Sequence, residues 1–209
     1  AVSDSQLTNN VLYTRDGTPT LTGTSEPGTT VIVSVDGIPS GVPVTIQPDG
    51  SWSWTAGTTL SEGPHTFTVS ATDPAGNASG SSAPLNVTVD TLTPDAPDNL
   101  NLAPEGTPLT GSAEAGSLIT VKDSNGNVIG TGVATGGNFS IAVSPAQQDG
   151  ATLTVTATDA AGHESPVANY TVTGTEPNLP DVPVITAIND DVDPIIGDVK
   201  GKTTNDTTP

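Results

Sequence analysis

Apolar and polar residues alternate at period two along several short stretches of the chain. Thr66-Phe67-Thr68-Val69-Ser70 and Thr152-Leu153-Thr154-Val155-Thr156 are the clearest cases. Extended backbone places every second side chain on one face, so this pattern predicts half-buried antiparallel strands. No window carries the spacing of an amphipathic helix. In the first part of the chain, strands are expected near 19–24, 30–36, 51–55, 65–72 and 83–90. Trp52 and Trp54 are two apart and so share a face, and Phe139 and Ile141 repeat that spacing further on. Both pairs are expected to pack in a core rather than to form a ligand platform.

Comparing the chain with itself shows a unit of roughly ninety residues whose landmarks recur in order. Leu21-Thr22-Gly23-Thr24-Ser25-Glu26-Pro27-Gly28 returns as Leu109-Thr110-Gly111-Ser112-Ala113-Glu114-Ala115-Gly116. Asp49-Gly50-Ser51-Trp52-Ser53-Trp54 is matched more loosely by Gly137-Asn138-Phe139-Ser140-Ile141. Ala71-Thr72-Asp73-Pro74-Ala75-Gly76-Asn77 returns as Ala157-Thr158-Asp159-Ala160-Ala161-Gly162-His163, and Thr93-Pro94-Asp95-Ala96-Pro97 is echoed by Leu179-Pro180-Asp181-Val182-Pro183. The Pro-Asp-x-Pro segments mark the change from strand to turn chemistry and are stiffened by fixed φ angles. The expected organisation is a first domain at 1–92, a second at 93–179, and at 180–209 a linker with the truncated start of a third. About seven short strands per unit suit an immunoglobulin-type sandwich. The fold class expected is all-β, with tandem immunoglobulin-like β-sandwich domains arranged end to end as a rod.

Composition narrows the function. An aromatic fraction of 3%, with 23 Gly and 19 Pro, leaves a thin core of Val, Ile and Leu. Four basic against 23 acidic residues give a net charge of −19, which repels nucleic acid and anionic membranes and attracts cations. There is no cysteine, so no disulfide supports the core. The first lysine is Lys122, so the first unit has no lysine for a Lys-Asn amide cross-link either. A bound metal is the remaining staple. With no apolar stretch of signal-peptide or membrane-spanning length, the segment is expected to be either a fragment of something exported under another signal or a mature segment, and not to insert in a membrane.

Taken in order, Leu-Thr-Gly-Thr-x-Glu-Pro-Gly, Ala-Thr-Asp-x-Ala-Gly-Asn and Thr-Pro-Asp-x-Pro resemble the bacterial Ig-like repeats of giant type I-secreted non-fimbrial adhesins. The resemblance covers both full units and the stub after them. It implies a secreted fibre retained on the bacterial surface, with calcium between neighbouring domains, whose distal tip meets the host cell during virulence. The partners it implies are neighbouring Ig-like domains of the same monomeric chain and, through the parent protein's tip, a host surface. His163 departs from the pattern, standing where the first unit has Asn77.

Immunoglobulin topology places the incoming linker beside the B-C and F-G turns. Asp90 and Asp95 of the linker should therefore converge with Glu114 and Asp159 of the second domain. Four mutually repelling carboxylates suit Ca²⁺, which takes six to eight oxygens in irregular geometry. A second junction would use Asp181 with Asp190, Asp191 and Asp193. Asp73 would face whatever precedes residue 1, with Asp4 nearby, and Asp16 in the A-B turn could approach the first junction. The competing expectation for each acid is a solvated turn residue.

Other chemistry is disfavoured. Asp123-Ser124-Asn125-Gly126-Asn127 resembles the start of an EF-hand loop, but its twelfth position is Ala134, and Asn125-Gly126 reads as a hairpin turn. His65 and His163 lie in different units with no nucleophile at a repeated place, so a hydrolytic triad is not expected, and the chain is read as no enzyme. Zinc would need cysteines or paired histidines. The Asn-x-Ser/Thr triplets at Asn86 and Asn169 are expected by chance in so Thr-rich a chain. A calcium-stiffened stalk is the leading function. A carbohydrate- or receptor-binding module is the alternative and would require an exposed aromatic such as Tyr13 or Tyr170.

Overall fold

The computed structural model describes residues 1–41 and 44–174. The expected third-domain start, with Asp181, Asp190, Asp191 and Asp193, lies outside the described residues.

The first domain contains β1 (Ser5–Thr8), β2 (Val11–Thr14), β3 (Thr20–Thr24), β4 (Thr30–Val35), β5 (Ile38–Pro39), β6 (Thr45–Ile46), β7 (Ser51–Thr55), β8 (Gly63–Thr72) and β9 (Leu85–Val89). One sheet runs β1-β2-β9-β8-β4-β5 and the other β3-β7-β6. The β2–β9 pairing is parallel, while the other pairs are antiparallel, including the long β4–β8 ladder from Thr30↔Thr72 to Val35↔Phe67. Strict alternation explains the layers. In β7, Trp52 and Trp54 are buried while Ser51, Ser53 and Thr55 are not. They meet Val31, Val33, Phe67 and Val87 of the larger sheet, with the Trp54 and Phe67 rings edge-on at 6.2 Å. Close packing needs a glycine opposite the larger ring: a Cβ on Gly23 of β3 would overlap the Trp52 indole.

The second domain contains β10 (Asp98–Leu102), β11 (Leu109–Ser112), β12 (Leu118–Lys122), β13 (Val128–Val133), β14 (Asn138–Ile141), β15 (Thr152–Thr158) and β16 (Ala168–Thr171). Its sheets are β10-β11-β14 and β13-β12-β15-β16. Leu109, Ile119, Val121, Phe139, Ile141, Leu153 and Val155 form a separate core. Both domains are all-β sandwiches of immunoglobulin type, as the period-two pattern predicts.

The five strands expected in the first domain each lie within two residues of the observed bounds. The β1–β2 hairpin lies outside those expectations. It closes through Asn9 and Asn10, both with positive φ (49° and 64°), as a two-residue type I′ turn requires. β1 is largely exposed, β2 runs from exposed Val11 to buried Thr14, and neither shows a clean alternation.

Candidate metal centre at the interdomain junction

One five-residue loop occurs three times, at Asp73–Asn77, Asp123–Asn127 and Asp159–His163. In each, the fourth residue is a glycine with positive φ (Gly76 87°, Gly126 83°, Gly162 91°), whose amide donates to the carbonyl of the first residue. The aspartate then caps its own loop. Asn77 donates its backbone amide to Asp73 Oδ1 (2.8 Å) and its side-chain amide to Oδ2 (2.8 Å). Asn127 repeats both bonds to Asp123 at 2.9 Å. His163 takes the same position: its amide donates to Asp159 Oδ1 at 2.9 Å, and its Nδ1 lies 3.0 Å from Oδ2. Thus Asn125-Gly126 does lie in a hairpin loop, although that loop is longer than a two-residue turn.

Surroundings separate the three. Asp73 and Asp123 are solvated, and bonds from Asn77 and from Asn127 hold the respective carboxyls below the usual range. Asp159 is buried, its side chain only 3% exposed, because the first domain covers it. Asp90 follows β9 directly, fixed by its amide bond to the Thr14 carbonyl (2.9 Å). One ligand atom each from Asp90, Asp159 and His163 lies within 4.8 Å of the others. Burial first, then the charge of Asp159, pushes the Asp90 carboxyl up. Glu114 is pushed up by burial and by the charges of Asp159, Asp90 and Asp95, and a shallow depression is lined by Asp95, Asp98 and Glu114. These acids are partly desolvated and repel one another. The oxygen-rich donor set around Asp90 and Asp159 therefore fits a hard divalent cation.

Glu62 closes the other side of the linker, accepting from the Thr91 amide and hydroxyl. The hairpin adds a contact from the first domain to the second: Thr8 Oγ1 donates to the Ala160 carbonyl at 2.9 Å, and Gln6 packs against Gly162. Asp16 is committed elsewhere. Its carboxylate accepts from Ser3 Oγ at 2.9 Å and from the Thr18 amide at 2.8 Å, although the adjoining Gly17 lies against Thr91. Asp4 pairs with Arg15 at 2.8 Å.

The structure also gathers Asp36, His65 and Ser61, which sequence spacing did not single out. His65 Nδ1 lies 2.7 Å from Asp36 Oδ2, and Nε2 lies 2.9 Å from the Ser61 carbonyl oxygen but 3.3 Å from its hydroxyl. The carbonyl occupies the position a catalytic base would keep for the nucleophile, so the resemblance to a triad is only in residue type. The Asp36-Gly37 turn and the Ser61-x-x-x-His65 spacing were the available signals.

Residues 1–91 match a family model described as a bacterial Ig-like domain, and residues 93–174 one described as a bacterial Ig domain. Among solved structures, the chain is similar to the BSP domain of a biofilm-associated protein, at 24% identity and TM-score 0.35, covering 86% of this chain and 30% of that one. It is also similar to fibronectin(III)-like modules of Clostridium thermocellum CbhA, at 18% identity and TM-score 0.41, covering 73% and 81% of the two chains. The D00-D0 domain of intimin gives 13% identity and TM-score 0.32 over 82% of this chain and 100% of that one. No curated protein sequence matches the chain.

Proposed function

Because the chain carries two bacterial immunoglobulin-like domains, which are structural or binding modules and not enzymes, we propose that it is a calcium-stiffened stalk segment of a bacterial surface adhesin. In this reading it belongs to a giant type I-secreted fibre of the SiiE kind, retained on the cell surface, whose tip attaches to host cells. The carrying observation is the convergence of Asp90, Asp159 and His163 at the junction, with Asp90 and Glu114 both pushed up by burial and neighbouring charge. Asp90 and Asp159 would hold Ca²⁺, with Glu114 and Asp95 alongside. His163 orients the Asp159 carboxylate from the position that asparagine occupies in the sister loops. Bound there, the ion would neutralise the repulsion and tie the linker to the second domain. The domains then act as an end-to-end rod that sets reach.

The carbohydrate-binding alternative lacks a platform. Tyr13 and Tyr170 are both half-buried, and the Tyr170 hydroxyl accepts from the Leu102 amide at 3.1 Å.

Thermal melts of protein first stripped of metal test the calcium reading. The melting temperature is expected to rise with calcium and return with chelator. A curve indifferent to both would remove the mechanism, and a near-spherical scattering envelope in calcium would remove the rod.

A further inference from the structure

Asp36 and Ser61 approach the His65 ring from opposite edges, and both present oxygen. The histidine is 8% exposed within the first domain. Its Nδ1 faces a carboxylate at 2.7 Å and its Nε2 a main-chain carbonyl at 2.9 Å. A carbonyl has no proton to give. A neutral imidazole has one N–H and one lone pair, so either tautomer would set a nitrogen lone pair against an oxygen lone pair. Only the imidazolium donates to both. The alternative proton source, the Ser61 hydroxyl, is further away at 3.3 Å.

We propose that His65 is a pH-dependent clasp: as an imidazolium it ties the β4–β5 turn to the 57–62 segment, and losing its proton opens that tie. Asp36 is fixed for the task by an Asp-Gly turn with φ of 52° and 81°, and its other oxygen accepts from the Thr66 amide at 2.8 Å. The segment being held matters to the junction. Leu60 donates its amide to the Gly17 carbonyl at 2.8 Å, and Glu62, next to Ser61, holds Thr91 of the linker.

Asp36 is the charged group that faces the ring from the β4–β5 turn. β9, paired with His65 through Val87, presents Leu85, Asn86, Val87, Thr88 and Val89, none of which titrates. On the 57–62 segment the only acid is Glu62, whose carboxylate is turned to Thr91. Burial pulls the ring down, but the Asp36 bond, the Ser61 carbonyl and the Asp36 charge outweigh it and hold His65 above 6.5. Asp36 is held below 3.8 by the Thr66 amide and by His65. The histidine's contribution is therefore complete below 6.5 and lost as pH rises through its raised folded value. The aspartate's is present above 3.8 and lost as pH falls through its lowered one. The clasp is tightest in mildly acidic solution.

Ring-nitrogen NMR on the whole chain tests this directly, with the two histidines assigned through His163→Asn. Both His65 nitrogens are expected to be protonated near pH 6.5, about the free histidine value, with a titration midpoint above it that Asp36→Asn lowers. Tryptophan fluorescence reports the first domain alone, because Trp52 and Trp54 are the only tryptophans. Its melting midpoint should fall between about pH 6 and pH 9 more steeply in wild type than in His65→Gln or Asp36→Asn. A singly protonated ring near pH 6.5 would overturn the clasp. So would melting profiles that stay parallel in wild type and Asp36→Asn, a comparison that holds even if His65→Gln does not fold.

Discussion

At the scale of single residues, Gly111 and Asp159 show how a neighbour decides what a side chain does. A Cβ on Gly111 would meet the Phe139 ring at 2.5 Å and the Asp98 carbonyl at 2.9 Å, so Gly111→Ala should destabilise the second domain by about 1–3 kcal/mol through overpacking. Chemical denaturation followed by far-UV dichroism would measure it, while the tryptophan transition of the first domain stays in place. The Leu-Thr-Gly landmark and the aromatic landmark were each legible as repeats, but the pairing of Gly23 with Trp52 and of Gly111 with Phe139 was not, because cross-strand register is needed to see which ring lies over which glycine. Asp73, Asp123 and Asp159 head the same Asp-x-x-Gly loop, and their local bonds are the same. Only Asp159 is covered by another domain. Because it also caps its own loop, Asp159→Ala would loosen that loop, and Asp90 is the cleaner position at which to probe the junction.

At the scale of elements, strands with strict alternation were readable from sequence and the β1–β2 hairpin was not. Leu7 is 68% exposed and Val11 41% while the adjacent Leu12 packs against the core, so its apolar residues do not alternate on one face. Asn9-Asn10 was its only clear signal, since few residues accept positive φ at both turn positions. Asn-Gly is the favoured pair for a type I′ turn, and relief of the left-handed conformation at the second position is expected to outweigh glycine's extra unfolded-state freedom, so Asn10→Gly should raise the tryptophan-monitored melting midpoint slightly. Thr8→Val removes the donor to the Ala160 carbonyl while leaving the strand pairing intact. It should leave that midpoint within about 0.5 kcal/mol of wild type, yet speed amide exchange around Ala161 and Gly162 in the second domain.

For the molecule as a whole, the proximity of Asp90 to Asp159 was legible because immunoglobulin connectivity brings a linker beside the F-G turn. Glu114 and Asp95 lie outside that group of ligand atoms, whereas His163 lies within it. The hairpin contact and the Glu62–Thr91 clamp were not legible, since neither follows from connectivity. The proposed calcium site predicts an effect of opposite sign in two conditions. In chelator, Asp90→Asn removes one charge from a repelling group and should raise the melting temperature slightly. In calcium it removes a ligand and should abolish most of the gain seen in wild type. Paired spin labels, one in each domain, should give a broad distance distribution for this variant in calcium, matching wild type in chelator. A distribution as narrow as that of calcium-loaded wild type would show that the carboxylates are solvated turns.

The hairpin tip gives the two domains a second point of attachment besides the peptide linker. Two bodies pinned at two points keep one rotation, about the line through both pins. Residues 91–97 supply one pin and Thr8 against Ala160 the other, so the remaining freedom resembles a door hinge rather than a ball joint. A cation held by Asp90 and Asp159 would join the residues next to both pins, since Asp90 adjoins Thr91 and Asp159 adjoins Ala160. It would tighten the hinge pin itself, so the play at the two attachments should shrink in calcium while the swing about their line remains.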